Sequence, residues 1–167
     1  MTGKMQADIR VANAEDLPAM EALEKESFSD PWPHSAFESE LKGDAPSVVA
    51  IWGDRLVGFL CRMVGPQEMH ITNIAVQLDF RRKGIGGRLL AFVIDSARTS
   101  DCEWVYLDVR PSNSAALGLY ERYGFKEIFR RRKYYTKPPE DGLVLALQIS
   151  GTTGVDEESQ DPERTHS

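Results

Sequence analysis

Cysteine is nearly absent from this chain of 167 residues: Cys61 and Cys102 stand far apart, without metal-ligand spacing. Each reads as a small core residue, and a metal centre is not expected. Excess positive charge is also missing. The net charge is −6 and the sequence pI about 5.1, which excludes a broad electrostatic footprint for nucleic acid. The local run Arg130-Arg131-Arg132-Lys133 is the exception. Alternation along a strand splits its charges between two faces, so it reads as a mostly solvated edge. Long apolar runs are lacking as well. The start MTGKMQADIR holds none long enough for a signal peptide or a membrane span, so no membrane partner is expected and the reducing cytoplasm is the natural compartment. There is no internal repeat.

What is present suits one soluble domain. A hydrophobic content of 41% over this length can form a sizeable core. Residues 1–150 are expected to form that domain. From 151 to 167 the composition shifts to Gly, Thr, Ser and acids, five carboxylate residues against one arginine, which predicts a disordered acidic tail.

Taken in order, Asp8 to Val11 reads as a short strand, and Asn13 can cap a helix carrying Glu15 and Asp16 in its first turn. Leu17, Met20 and Leu23 form its inner face, and it should end near Phe28, before a Ser29-Asp30-Pro31-Trp32-Pro33 segment that cannot be helical. A second helix spans His34 to Leu41 and stops at Gly43. Val48 to Trp52 and Arg55 to Val64 are β-rich and joined by Gly53-Asp54, a hairpin signal. Met69 to Val76 predicts another strand, and Trp104 to Val109 a buried one. A helix capped by Ser112 or Asn113 should run to about Arg122 and end at Gly124. Phe125 to Arg132 and Leu143 to Ile149 read as final strands joined by a Pro138-to-Gly142 turn. The class is α/β with a mixed sheet.

The organising stretch is Asn73 to Ala97. After a basic glycine-rich turn, Ile85, Leu89, Phe92, Val93, Ser96 and Ala97 recur with helical period on one buried stripe. The glycines therefore sit at a helix N-terminus, where backbone N–H groups lack partners and the dipole is positive. Gly84, Gly86 and Gly87 let an anion approach the backbone, and Arg81, Arg82 and Lys83 add charge, making Arg81 to Gly87 a candidate phosphate cradle. Neither a Walker loop nor the dinucleotide fingerprint fits the spacing. A glycine-rich connection of this kind can also be simply a tight turn.

The pattern that does match is R-x-x-G-x-G, Arg81 to Gly86, behind Ile74-Ala75-Val76, and it resembles the coenzyme-A signature of the GNAT acetyltransferases. Together with the order of elements and the block YLDVRPSNSAALGLYERYGF, the likeness runs from about Asp8 to Ile149. Within that superfamily, Tyr106 to Phe125, Pro31-Trp32 and Arg131-Arg132-Lys133-Tyr134-Tyr135 are similar to the ribosomal-protein alanine N-acetyltransferases, the RimI group. The resemblance implies the GNAT fold, acetyl-CoA as acetyl donor, and a protein or peptide N-terminus as acceptor, that of a ribosomal protein in the RimI group. It also implies that Tyr120 protonates the departing sulfur and that Asn113 contacts the cofactor. A backbone N–H of Ile74-Ala75-Val76 would polarise the carbonyl, with pantetheine pairing along that strand.

Strand alternation places Tyr106, Asp108 and Arg110 on one face of the Trp104–Val109 strand and Val105, Leu107 and Val109 on the other. Asp108 is the candidate base; the alternative is a salt bridge with Arg110 or another basic residue. The RimI group usually has glutamate here, so the chain departs by one methylene, and Asp108 would act through a water. Tyr120, seven residues after Asn113, shares its helical stripe and is otherwise an amphipathic core residue. Phe28, Pro31, Trp32, Tyr134 and Tyr135 are candidate acceptor walls or plain packing. Glu24 can attract an ammonium group, but on the first helix it reads as a solvated surface carboxylate. Two other functions stay open: a small-amine or antibiotic N-acetyltransferase, and a coenzyme-A-binding interaction module without catalysis.

Overall fold

Asn13 and Asp16 begin the first helical segment by capping one another. Asn13 Oδ1 accepts from the Glu15 N–H at 2.9 Å, and the Asp16 carboxylate accepts from the Asn13 N–H at 2.8 Å. The structure is a computed structural model and describes residues 6–149; the expected acidic tail lies outside the described residues. The chain runs β1 (Asp8–Val11), α1 (Leu17–Ser27), α2 (His34–Lys42), β2 (Val48–Trp52), β3 (Arg55–Gly65), β4 (Glu68–Val76), α3 (Ile85–Thr99), β5 (Trp104–Val109), α4 (Ser114–Arg122), β6 (Lys126–Thr136) and β7 (Pro139–Gln148). This is the mixed α/β class the sequence predicts. Among the described residues no helix is long and apolar enough to cross a membrane.

These elements fall into two compact units. The first takes the chain up to Val64 together with His70–Val93. Its strands follow the order β1-β2-β3-β4; β1 pairs antiparallel with β2, and β2 with β3. The pairing Trp52↔Arg55 closes the two-residue loop, where Gly53 takes φ +67°. Met20, Leu23, Phe37, Val49, Phe59 and Ala75 form its apolar cluster, with Trp32 packed against it. The N-terminal turn of α3 is seated on β3 at Gly58: a Cβ there would lie 3.3 Å from Ile85 Cγ2 and 3.4 Å from Leu89 Cδ1. Cys61 is buried in this unit, and burial pushes its thiol up to about 12, so it is the inert core residue expected.

The second unit takes Gly65–Met69 and the chain from Ile94 on. Its strands are ordered β5-β7-β6, antiparallel throughout. Val105, Leu107 and Val109 are buried and the residues between them half-exposed, as alternation predicts. The final hairpin differs from expectation. Thr136 pairs with Pro139, so the turn is only Lys137-Pro138, and the segment read as a turn is the start of β7. Pro139 is tolerated there because a strand's first residue can dispense with its ladder donor. The path from β4 to α3 also departs from expectation, with a 3₁₀ turn at Leu78–Phe80 ahead of the glycines.

Candidate active site

In the first unit, the chain reverses after the 3₁₀ turn through two left-handed residues, Arg82 at φ +65° and Gly84 at φ +80°. Gly84 O accepts the N–H of Arg88 at 3.0 Å. The N–H groups of Ile85, Gly86 and Gly87 thus precede the first intrahelical donor. Among the described residues nothing lies within 4 Å of the place where a Cβ on Gly84 would stand, so they leave the outer side of the turn open. The basic residues diverge. Arg81 Nε donates to Val76 O at 3.1 Å and braces the turn, Lys83 Nζ lies 5.9 Å from the Trp52 ring centroid, and Arg82 is exposed. Ile85 is buried, its Cγ2 lying toward Gly58. On β4, Ala75 is buried while Ile74 and Val76 are half-buried.

Glu24 is the largest departure from the sequence reading in this unit. Rather than being solvated it is 2% exposed, accepting from the Trp32 backbone N–H at 2.9 Å and from Asn73 Nδ2 at 2.7 Å. Burial pushes its carboxyl above the ordinary range, and the two hydrogen bonds only partly oppose this. The Trp32 ring packs on Phe37 at 5.3 Å, so it is half core, whereas Phe28 and Pro31 are exposed.

In the second unit, Asp108 Oδ1 accepts from Arg131 Nε at 3.3 Å. The ion pair weighed as an alternative to a base is therefore present, but its partner is not Arg110. Arg110 is engaged by Glu140 at 3.2 Å and by the carbonyls of Pro138 at 2.8 Å and Lys137 at 3.1 Å, and it stacks 4.2 Å from the Tyr135 ring centroid. Glu140 also accepts from the Ser112 N–H at 2.8 Å and its hydroxyl at 2.9 Å, tying β7 to the loop before α4. Sequence pattern had singled out neither Glu140 nor this use of Arg110.

Tyr120 is 3% exposed, with its ring 5.8 Å from Phe125. Burial, and then Tyr135 nearby, push its phenol upward, so it keeps its proton through the neutral range. Tyr135 is pushed up to about 12, by burial first and then by the charge of Asp108. Asp108 therefore acts on Tyr135, and Tyr135 on Tyr120. Tyr134 is exposed and meets Tyr135 edge-on at 4.9 Å. Asn113 is the N-cap of α4, its Oδ1 accepting from the Ala116 N–H at 3.1 Å, so that oxygen is occupied by the helix end. Among the described residues no group of three or more His, Cys, Asp or Glu could hold a metal.

Comparison with known proteins points one way. Residues 17–125 match the sequence model of the Acetyltransferase (GNAT) family. The [ribosomal protein bS18]-alanine N-acetyltransferase of Salmonella typhimurium is 35% identical over 144 residues, 85% of this chain and 97% of that protein. The N-alpha-acetyltransferase RimI of Mycobacterium tuberculosis is 40% identical over 130 residues, 74% of this chain and 80% of that one. Among solved structures, the ribosomal-protein-S18-alanine N-acetyltransferase from Escherichia coli superposes with a TM-score of 0.81 at 33% identity, covering 88% of this chain and 96% of its own.

Proposed function

Since this chain belongs to the GNAT acetyltransferase family and is RimI-like, we propose that it transfers the acetyl group of acetyl-CoA to the N-terminal α-amine of a protein, the alanine terminus of a small-subunit ribosomal protein being the best candidate. The seven strands and four helices of the described residues are the GNAT fold. What supports the reading is Tyr120, a phenol 3% exposed with its ring 5.8 Å from Phe125, which burial keeps protonated and to which the family resemblance assigns the proton-donor role.

Transfer forms a C–N bond and breaks a C–S bond; the amine loses a proton and the thiolate gains one. In this scheme Arg82 and the N–H groups of Ile85, Gly86 and Gly87 hold the diphosphate of the donor, while Arg81, Lys83 and Gly84 shape the turn. Ile74-Ala75-Val76 would hold pantetheine along the strand, and a backbone N–H there would polarise the carbonyl. Asp108 relays the amine proton through water, and Tyr120 delivers one to sulfur. Asn113 contacts the donor through the part of its amide not used as cap. Phe28, Pro31 and Trp32 in the first unit, and Tyr134 and Tyr135 in the second, are the residues read as acceptor contacts. Residues 1–150 form the catalytic domain, residues 151–167 an acidic extension, and the enzyme acts in the cytoplasm without direct contact to nucleic acid or membrane.

An α-amine suits so modest a base. With a reference pKa of roughly 7.7–8.0, about a tenth of it is neutral near pH 7, against on the order of one part in 10³ for a lysine. Peptides differing in their first residue, incubated with acetyl-CoA and mapped by mass spectrometry, should gain acetyl at the α-nitrogen, best with alanine first and not at lysine. Acetylation of an aminoglycoside or polyamine with peptide refused would establish the small-amine reading instead; tight coenzyme-A binding with no transfer to any amine would establish a binding module. Asp108→Ala should lose most activity at low pH, where more of the amine must be deprotonated. A loss flat with pH would mean that Asp108 serves only its ion pair with Arg131.

A further inference from the structure

Pro31 and Pro33 have no backbone N–H, so Trp32 carries the single donor between them. That donor is bound to Glu24 Oε2 at 2.9 Å, while Glu24 Oε1 accepts from Asn73 Nδ2 at 2.7 Å. A buried carboxylate on the apolar stripe of α1 is costly, because an apolar residue could pack there without desolvating a charge. Both of these partners are neutral donors that only an acceptor on each oxygen can satisfy together. Asn73 immediately precedes Ile74-Ala75-Val76 on β4. The carboxylate therefore joins the Trp32 segment to the strand assigned to the thioester.

We propose that Glu24 is a positioning residue for the acceptor amine: it fixes the wall around Trp32 against β4, through Asn73, and so sets where the acceptor backbone lies. The inference rests on the assignment of Phe28, Pro31 and Trp32 to the acceptor wall. Glu24 itself touches neither substrate.

The polarity of the contact supplies the test. Glu24→Ala removes both acceptors. Asn73→Asp keeps the shape but sets two carboxylates against each other. Adding Glu24→Gln to Asn73→Asp restores complementarity, since the glutamine amide can donate to the new carboxylate while its carbonyl accepts from Trp32. Kinetics on an alanine-first peptide should show the acceptor KM raised by about 10-fold or more in each single variant, the scale of losing a hydrogen bond to a charged group. The double variant should return to within about threefold of the parent, as coupled neighbours do. Turnover at saturating peptide and the calorimetric affinity for acetyl-CoA should hold throughout.

In protein labelled with 5-fluorotryptophan, the ¹⁹F resonance of Trp32, assigned by its loss in Trp32→Phe, should shift or broaden in the single variants and return in the double. A fall in kcat that tracks the folded fraction, with KM unchanged, would reduce Glu24 to a stability role and overturn the proposal. So would a Trp32 resonance indifferent to Glu24→Ala. A resonance that moves while the acceptor KM does not would remove Trp32 from the acceptor wall. If the parent enzyme acetylates no peptide, the N-terminal reading fails by itself, and the fluorine spectra still decide whether Glu24 anchors the segment.

Discussion

Tyr120→Phe is expected to lower kcat by about 10²–10⁴, the range general acid catalysis commonly contributes, with acetyl-CoA affinity little changed. The substitution removes one oxygen and keeps the ring that packs 5.8 Å from Phe125, so the core should survive. The sign of the ionisation matters. A phenol raised by burial is protonated at every pH below its pKa, so Tyr120 is available as an acid across the neutral range. The wild-type rate should accordingly show no basic limb from Tyr120 across the neutral range. Steady-state kinetics paired with calorimetry check both halves. Tyr135→Phe is the control, because Tyr135 is close enough to act on the Tyr120 phenol. If Tyr135→Phe carries the large loss and Tyr120→Phe does not, the proton reaches sulfur from β6 rather than from α4.

What could be read from the sequence, and what could not, follows from the range of the forces involved. The strand Trp104–Val109 and the Gly53-Asp54 turn are local: alternation of burial and a two-residue loop needing φ > 0 are written into neighbouring residues. The last hairpin is not. Between Arg131↔Gly142 and Tyr135↔Glu140 the β6 side carries two more residues than β7, and Lys133 takes φ +53° within the irregularity. Past such a bulge, simple alternation no longer says which face Arg130 to Lys133 occupy, and the partner of Asp108 cannot be chosen. Gly142, which reads as a turn glycine, is instead a packing requirement, since a Cβ there would lie 2.7 Å from Tyr134 Cδ2.

Glu24 fails for another reason. It falls four residues after Met20 and seven after Leu17, on the buried stripe, so its position spoke for the interior while its charge spoke for water. Position prevailed because Trp32, confined between prolines, and Asn73, distant in sequence, supply the hydrogen bonds that a buried carboxylate needs. Only the first of those partners is near enough in the chain to have been suspected.

Gly84→Asp, set beside Gly84→Asn, should separate an anion site from a tight turn. Both side chains have the same shape, both tolerate a left-handed backbone better than most residues, and at φ +80° both carry a similar strain. There is room for either, with none of the described residues within 4 Å of the new Cβ. They differ by one negative charge at the N-terminus of α3, which the helix dipole favours. Without ligand, then, the aspartate variant should melt no lower than the asparagine variant. With acetyl-CoA the order reverses if the diphosphate lies at the N–H groups of Ile85, Gly86 and Gly87. A unit charge some 5 Å from a phosphate at an effective dielectric of 20, discounted for an exposed and salt-screened turn, costs about 2 kcal/mol, or roughly 30-fold in Kd. Calorimetry at low and high salt should find that gap and find it narrowing as salt rises. Equal affinities for the two variants would mean that the donor's phosphates bind elsewhere, leaving the glycines as a connection between β4 and α3 and nothing more.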